Sequence, residues 1–183
     1  MLGSLKTFLK YAYGIEDVQI AGGPKWLDND LFEIDAKASS PASAAQMRLM
    51  LRALLEQRFK LSTHTETKPV AVYSLVVAKG GPKIQQADTS GPGASSSGST
   101  LIRGTLDTGQ LAQMLTRVLG RSVIDNTGLN GAYNVGLTWA ADDDPSGPSL
   151  FTAVEEQLGL KLEPTKGPVE TLVIDHAERP SEN

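Results

Sequence analysis

Residues 56–61, Glu56-Gln57-Arg58-Phe59-Lys60-Leu61, have a counterpart in the second half of the chain, Glu156-Gln157-Leu158-Gly159-Leu160-Lys161-Leu162. Lys68-Pro69-Val70 is answered by Gly167-Pro168-Val169, and the apolar runs that follow end in Leu75-Val76-Val77 and Leu172-Val173-Ile174. Helix, strand, Pro-Val step and second apolar strand recur in one order, which predicts an internal duplication. Two copies are too few for a solenoid. The reading is an α+β chain of two tandem related lobes, each a small, mostly antiparallel sheet with two helices.

Working outward from these strings, the rest of each half follows the same order. Ser4 caps a helix with Leu5, Phe8, Leu9 and Ala12 at spacings of three and four, stopped by Gly14. Short strands are predicted at Asp17–Ala21 and Phe32–Ala38, separated by the turn Gly22-Gly23-Pro24. Ser40-Pro41 opens a longer helix with Met47, Met50, Leu51, Leu54 and Leu55 on one stripe, and strands at Phe59–Thr65 and Ala71–Ala78 close the half. In the second half a strand at Leu101–Gly104 leads to a helix capped by Asp107 or Thr108 and ended by Gly120. Strands at 122–125 and 133–140 flank an Asn/Gly-rich turn, and Ser149 and Gly159 bound the last helix. The chain closes on strands at Leu160–Glu163 and Val169–Ile174.

Gly80–Thr100 is built of Gly, Ser, Pro, Thr and Gln with almost no apolar residue, so it cannot bury enough surface to offset its ordering entropy. The domain reading is therefore a first lobe over 1–79, a linker or loop over 80–100 and a second lobe over 101–183. Ala71–Ala78 and Val169–Ile174 end their lobes and read as edge strands, without the Lys or internal Pro that blunts a free edge. Covering such edges calls for lobe–lobe contact, a protein partner or a homodimer pairing through those strands.

Composition removes whole classes of function. The 183 residues are 40% hydrophobic and 21% charged, with 18 Gly, 10 Pro and no Cys. A chain of this length folds without cross-links. The absence of Cys excludes disulfides, thiolate nucleophiles and Cys-ligated metal centres. Seventeen Lys and Arg against 21 Asp and Glu leave a net charge of −4, which argues against a nucleic-acid partner. No apolar run is long enough for a transmembrane segment, and Met1–Lys10 is not a signal peptide. The short lead-in to the first helix is read as a form whose natural N-terminus carries an export signal.

Chemistry rests on few residues. The two histidines are His64, beside Glu66 in a strand, and His176, after the last strand beside Asp175 and Glu178. His176 with Asp175 is the first candidate base and His64 the next, but no G-x-S-x-G elbow supplies a nucleophile. Oxygen ligands for Ca2+ could come from Asp142, Asp143 and Asp144 or from Asp125. Neither loop has the twelve-residue spacing, so no cofactor or metal is expected. No glycine phrase fits a phosphate loop. Trp26, on the loop after Gly23-Pro24, and Tyr73 are the candidate binding aromatics, whereas Trp139 alternates with Leu137 and Val135 and reads as core.

Several separated phrases carry a family resemblance: Gly22-Gly23-Pro24-Lys25-Trp26-Leu27, Arg58-Phe59-Lys60-Leu61, Val72-Tyr73-Ser74-Leu75-Val76-Val77, Asp125-Asn126-Thr127-Gly128-Leu129-Asn130-Gly131 and Val173-Ile174-Asp175-His176. Over nearly its whole length the chain resembles the bacterial soil-associated domain of unknown function. Members of that family are exported or membrane-anchored, and some are fused to BlaR-type sensor metallopeptidases. The resemblance therefore implies an extracytoplasmic (periplasmic or secreted) binding or sensory module taking a protein partner or small ligand. The alternative is a small hydrolase acting on an ester or lactone. The second half also resembles, in pattern alone, the short N-terminal domain of secretins and TonB-dependent receptors.

Overall fold

Ser4, Ser43, Asp107 and Ser149 each start a helix by accepting a backbone N–H with the side chain, from Thr7, Gln46, Gln110 and Thr152 respectively. Each such cap is worth about 1 kcal/mol. Three of these helices stop on a left-handed glycine: Gly14, Gly120 and Gly159. The helix begun by Ser43 stops instead on Lys60, at φ 45, the one non-glycine with positive φ among the described residues.

The computed structural model describes residues 1–37, 41–87, 95–96 (main chain only), 100–141 and 146–180. In chain order the elements are β1 (Leu2–Ser4), α1 (Leu5–Tyr13), β2 (Ile20–Gly22), α2 (Trp26–Asn29), β3 (Leu31–Glu33), α3 (Ala44–Phe59) and β4 (Ser62–Val77). There follow β5 (Gln85–Gln86), β6 (Ser95–Ser96), β7 (Leu101–Leu106), α4 (Thr108–Leu119), β8 (Val123–Asp125), β9 (Tyr133–Thr138), α5 (Leu150–Leu158) and β10 (Leu160–His176). The class is α+β, with sheets of order β1-β3, β2-β10-β4-β8 and β5-β9-β7-β6.

The halves pair their strands alike. β1 lies antiparallel to β3 and β7 antiparallel to β9. β2 pairs in parallel with the end of β10, Leu172 opposite Ile20 and Ile174 opposite Gly22. β8 pairs in parallel with the end of β4, Tyr73 opposite Val123 and Leu75 opposite Asp125. When Pro69 is set on Pro168, Tyr73 falls on Leu172 and Leu75 on Ile174, so the two registers coincide.

The long strands decide how the chain divides. Met1–Lys68 groups with Pro168–Asn183 in one compact unit, and Pro69–Gly167 forms the other. This differs from the division expected at 1–79, 80–100 and 101–183. The Lys68-Pro69 and Gly167-Pro168 steps, read as connections between two strands, are passed without a turn. A residue before proline prefers extended backbone, so β4 and β10 run through these steps unbroken. Each contributes one part to each unit.

In the first unit Leu5, Phe8, Leu9 and Ala12 of α1 pack with Leu51, Leu55 and Phe59 of α3 and with Leu172 and Ile174 of β10. Here α1 buries the four residues its spacing named. α3 begins at Ser43 rather than at Ser40-Pro41, and Ser40 lies outside the described residues. Its first two turns extend past the packed region, leaving Met47 and Met50, placed on the predicted stripe, 40% and 47% exposed. In the second unit α4 and α5 cover β7 and β9, with Leu111, Leu115, Val154 and Leu158 meeting Ile102, Leu106, Val135 and Leu137. Trp139 is part of that core.

Two further expectations change. Part of the predicted 80–100 linker is built into the second unit: Ile84 packs on its core and β5 pairs with β9. The strands read as edges are interior, since β10 lies between β2 and β4, and β4 between β10 and β8. A homodimer through Ala71–Ala78 or Val169–Ile174 loses its premise, because tertiary pairing has already taken those backbone groups.

Candidate functional site

Successive side chains of a strand alternate between faces, so His64, Glu66 and Lys68 of β4 share one face of the first unit. β10 is the neighbouring strand and places Asp175 against His64. Nδ1 of His64 stands 2.8 Å from Oδ1 and 2.9 Å from Oδ2 of Asp175. On the other side of the ring, Nε2 lies 3.4 Å from Oε1 of Glu66, whose second oxygen meets the Lys68 ammonium. The Asp175 and Glu66 carboxylates together raise the His64 pKa above its ordinary 6.5, the Asp175 hydrogen bond being the larger cause. Lys68, then His64, hold the Glu66 carboxyl below the usual range.

A parallel group stands where β10 ends. His176 follows Asp175 directly and therefore points to the opposite face, so the expected His176–Asp175 pair does not form. Nε2 of His176 instead meets Oε1 of Glu178 at 3.1 Å, and Lys60 Nζ meets the other oxygen of Glu178 at 2.6 Å. Lys60, then His176, lower the Glu178 pKa. Of the three catalytic candidates the fold thus joins His64 and Asp175, 111 positions apart, and leaves His176 outside the pair.

The His64 group is solvated. The side chains of His64 and Asp175 are 47% and 43% exposed, which leaves water in competition for every contact. Among the described residues the side-chain partners of His64 are Asp175 and Glu66, neither of them a hydroxyl.

The remaining candidates are held by packing. Trp26 stacks on Phe59 and meets Phe32 edge-on, with the Arg179 guanidinium 5.3 Å from its ring. Oδ2 of Asp30 fixes Arg179 at 2.6 Å. In the second unit Tyr73 lies between Phe151, ring centroids 5.2 Å apart, and Arg121, 5.0 Å from its ring. Asp125 accepts the Thr108 hydroxyl at 2.6 Å and the Thr127 hydroxyl and N–H at 2.8 and 3.0 Å. Its oxygens fasten the loop that follows β8 to the start of α4. Asp142, Asp143 and Asp144 lie outside the described residues, and among the described residues no group of three or more acidic or His side chains is placed to hold a metal.

Fold and site define an α+β protein of two compact units, the first of which carries two exposed ion-paired groups, one around each histidine. No helix among the described residues is long and apolar enough to cross a membrane. Residues 6–177 match the family described as protein of unknown function DUF3738, and the chain belongs to that family. No curated protein and no solved structure matches it.

Proposed function

We propose that the chain is a non-catalytic binding or interaction module acting outside the cytoplasm, built from two copies of one α+β unit. The observation that carries the first part is the state of His64. A general base needs an unprotonated ring nitrogen facing the group it deprotonates. Both nitrogens of His64 face carboxylates, which favours the doubly protonated imidazolium and leaves neither free for a substrate. The coincident registers of β2 with β10 and of β8 with β4 support the two-copy reading. The likeness to exported and sensor-fused proteins supports the location.

The rival is a small ester or lactone hydrolase, favoured by one observation: His64 and Asp175 have the contact of a base and its orienting acid. A panel of chromogenic esters and acyl lactones separates the two, run on wild type, His64→Ala and His176→Ala. The module reading expects no turnover above buffer in any of the three. Turnover that disappears in His64→Ala while the fold persists overturns it.

A further inference from the structure

β9 of the second unit has neighbours on both sides, β7 and β5. On the β5 side the Ala87 N–H donates to the Ala132 carbonyl at 2.8 Å, and the two-residue period of an antiparallel ladder makes Gln85 and Asn134 the next hydrogen-bonded pair. β3 stands to β1 as β9 stands to β7, and in each unit the partner strand leads straight into a capped helix. Yet among the described residues β3 has a neighbour on one side only.

The open side of β3 can be identified. The Ile34 N–H donates to the Met1 carbonyl at 2.8 Å, and the Met1 ammonium to the Ile34 carbonyl at 2.6 Å. Ile34 therefore faces β1 with its backbone, and Glu33 and Asp35 turn theirs the other way. They face a groove of about 490 Å³ between this segment and α3, with Phe32, Ile34, Leu54 and Phe59 along it and Arg58 and Pro180 also in its wall. Glu33 and Asp35 are exposed and add two carboxylates along the edge.

The chain's own path after β10 departs from the one that fills the equivalent edge. The Lys83 N–H donates to the carbonyl of Leu158, the last residue of α5, and the Glu178 N–H donates to that of Phe59, the last residue of α3. Two residues on from Lys83 is Gln85, already in β5; two residues on from Glu178 is Pro180, which lines the groove but has no N–H to give to β3. Between them Ile84 packs on the core, whereas its counterpart Arg179 is turned to Asp30 and Trp26.

We propose that the outer edge of β3, through Glu33 and Asp35, docks an extended segment of a protein partner as an added antiparallel strand. The segment carries an apolar side chain for the groove, as Ile84 beside β5 packs on the core of the second unit, and a Lys or Arg beside the two carboxylates. Main-chain bonds to Glu33 and Asp35 supply affinity and the alternate side chains selectivity. This site rests on the module reading and gives it a place. Hydrolysis in the ester and lactone panel would overturn that reading, whereas failure of the titration below overturns the place alone.

The probe is a synthetic peptide copying residues 82–87 (PKIQQA), titrated to millimolar concentration into the isotope-labelled full chain. Expected are amide shift changes at Leu31–Ala36 and Leu54, and exchange of the Glu33 and Asp35 amides slowed about fivefold. Glu33→Pro, which removes an outward N–H, abolishes these changes. Because that variant can disturb β3, Glu33→Lys/Asp35→Lys is measured too and weakens binding about tenfold by charge reversal alone. No change at residues 31–36, equal affinity in the variants, or changes confined to Tyr133 and Asn134 overturns the proposal. So does binding seen only in a chain cut after Pro180, since the groove would then be closed by the chain itself.

Discussion

Lys60 holds in the first unit the place that Gly159 holds in the second. Each ends its helix in the left-handed region, at φ 45 and φ 65, and each directly follows a residue whose carbonyl receives an N–H from the segment after a long strand. The surroundings differ. A Cβ on Gly159 would collide with the Gly81 carbonyl and the Lys83 backbone nitrogen, whereas Lys60 sends its side chain out to Glu178.

The two positions should respond oppositely to substitution. Lys60→Gly relieves the left-handed strain but loses an exposed ion pair, for a net gain of about 0.5 kcal/mol. Gly159→Ala adds both strain and overlap and should cost about 2–4 kcal/mol. Urea unfolding with an unchanged slope measures both, and equal effects at the two sites would contradict the difference in packing.

The two ion-paired groups set a pH window. His64 is raised above 6.5 in the folded chain, so its contribution to stability is complete below 6.5 and disappears as pH rises through the folded value. Glu66 and Glu178 are lowered from 4.5, so theirs is complete above 4.5 and disappears as pH falls through their folded values. Between these limits all three act together, giving a shallow stability maximum. His64→Ala should remove the decline on its alkaline side. A proton NMR titration placing the His64 midpoint at or below 6.5 would contradict the contacts described.

Asp125 is read as a fastener rather than a calcium ligand. Asp125→Ala strands the Thr127 N–H and takes the 2.6 and 2.8 Å bonds from the Thr108 and Thr127 hydroxyls, leaving Thr127 only the Thr108 hydroxyl to donate to, at 3.2 Å, and Thr108 only the Leu129 carbonyl, at 3.5 Å. The expected cost is about 2 kcal/mol, seen as a lowered urea midpoint. Calcium up to millimolar concentration should leave the wild-type midpoint unchanged. A calcium-dependent rise that Asp125→Ala abolishes would reverse the assignment.

Local physics was legible in the sequence. Ser4 and Ser149 as caps, a cap at Asp107 or Thr108 that the structure gives to Asp107, Gly14, Gly120 and Gly159 as stops, and the buried face of α1 depend on residues within a turn or two of each other, and short-range spacing encodes them. The paired strings around Phe59 and Leu158 lie at the ends of α3 and α5, each of which is followed by a long strand. Strand partnership was not legible. Nothing near Lys68-Pro69 says whether the chain turns or continues, and continuing is what carries β4 and β10 each into both units. That choice turned two expected edges into interior strands and set Asp175 beside His64. Neighbouring strands are joined by backbone groups that every residue carries, so the sequence specifies a strand's faces far better than its neighbours. The helices, their ends and the α+β class were written locally, while the division into units and the His64–Asp175 contact were decided by which strands met.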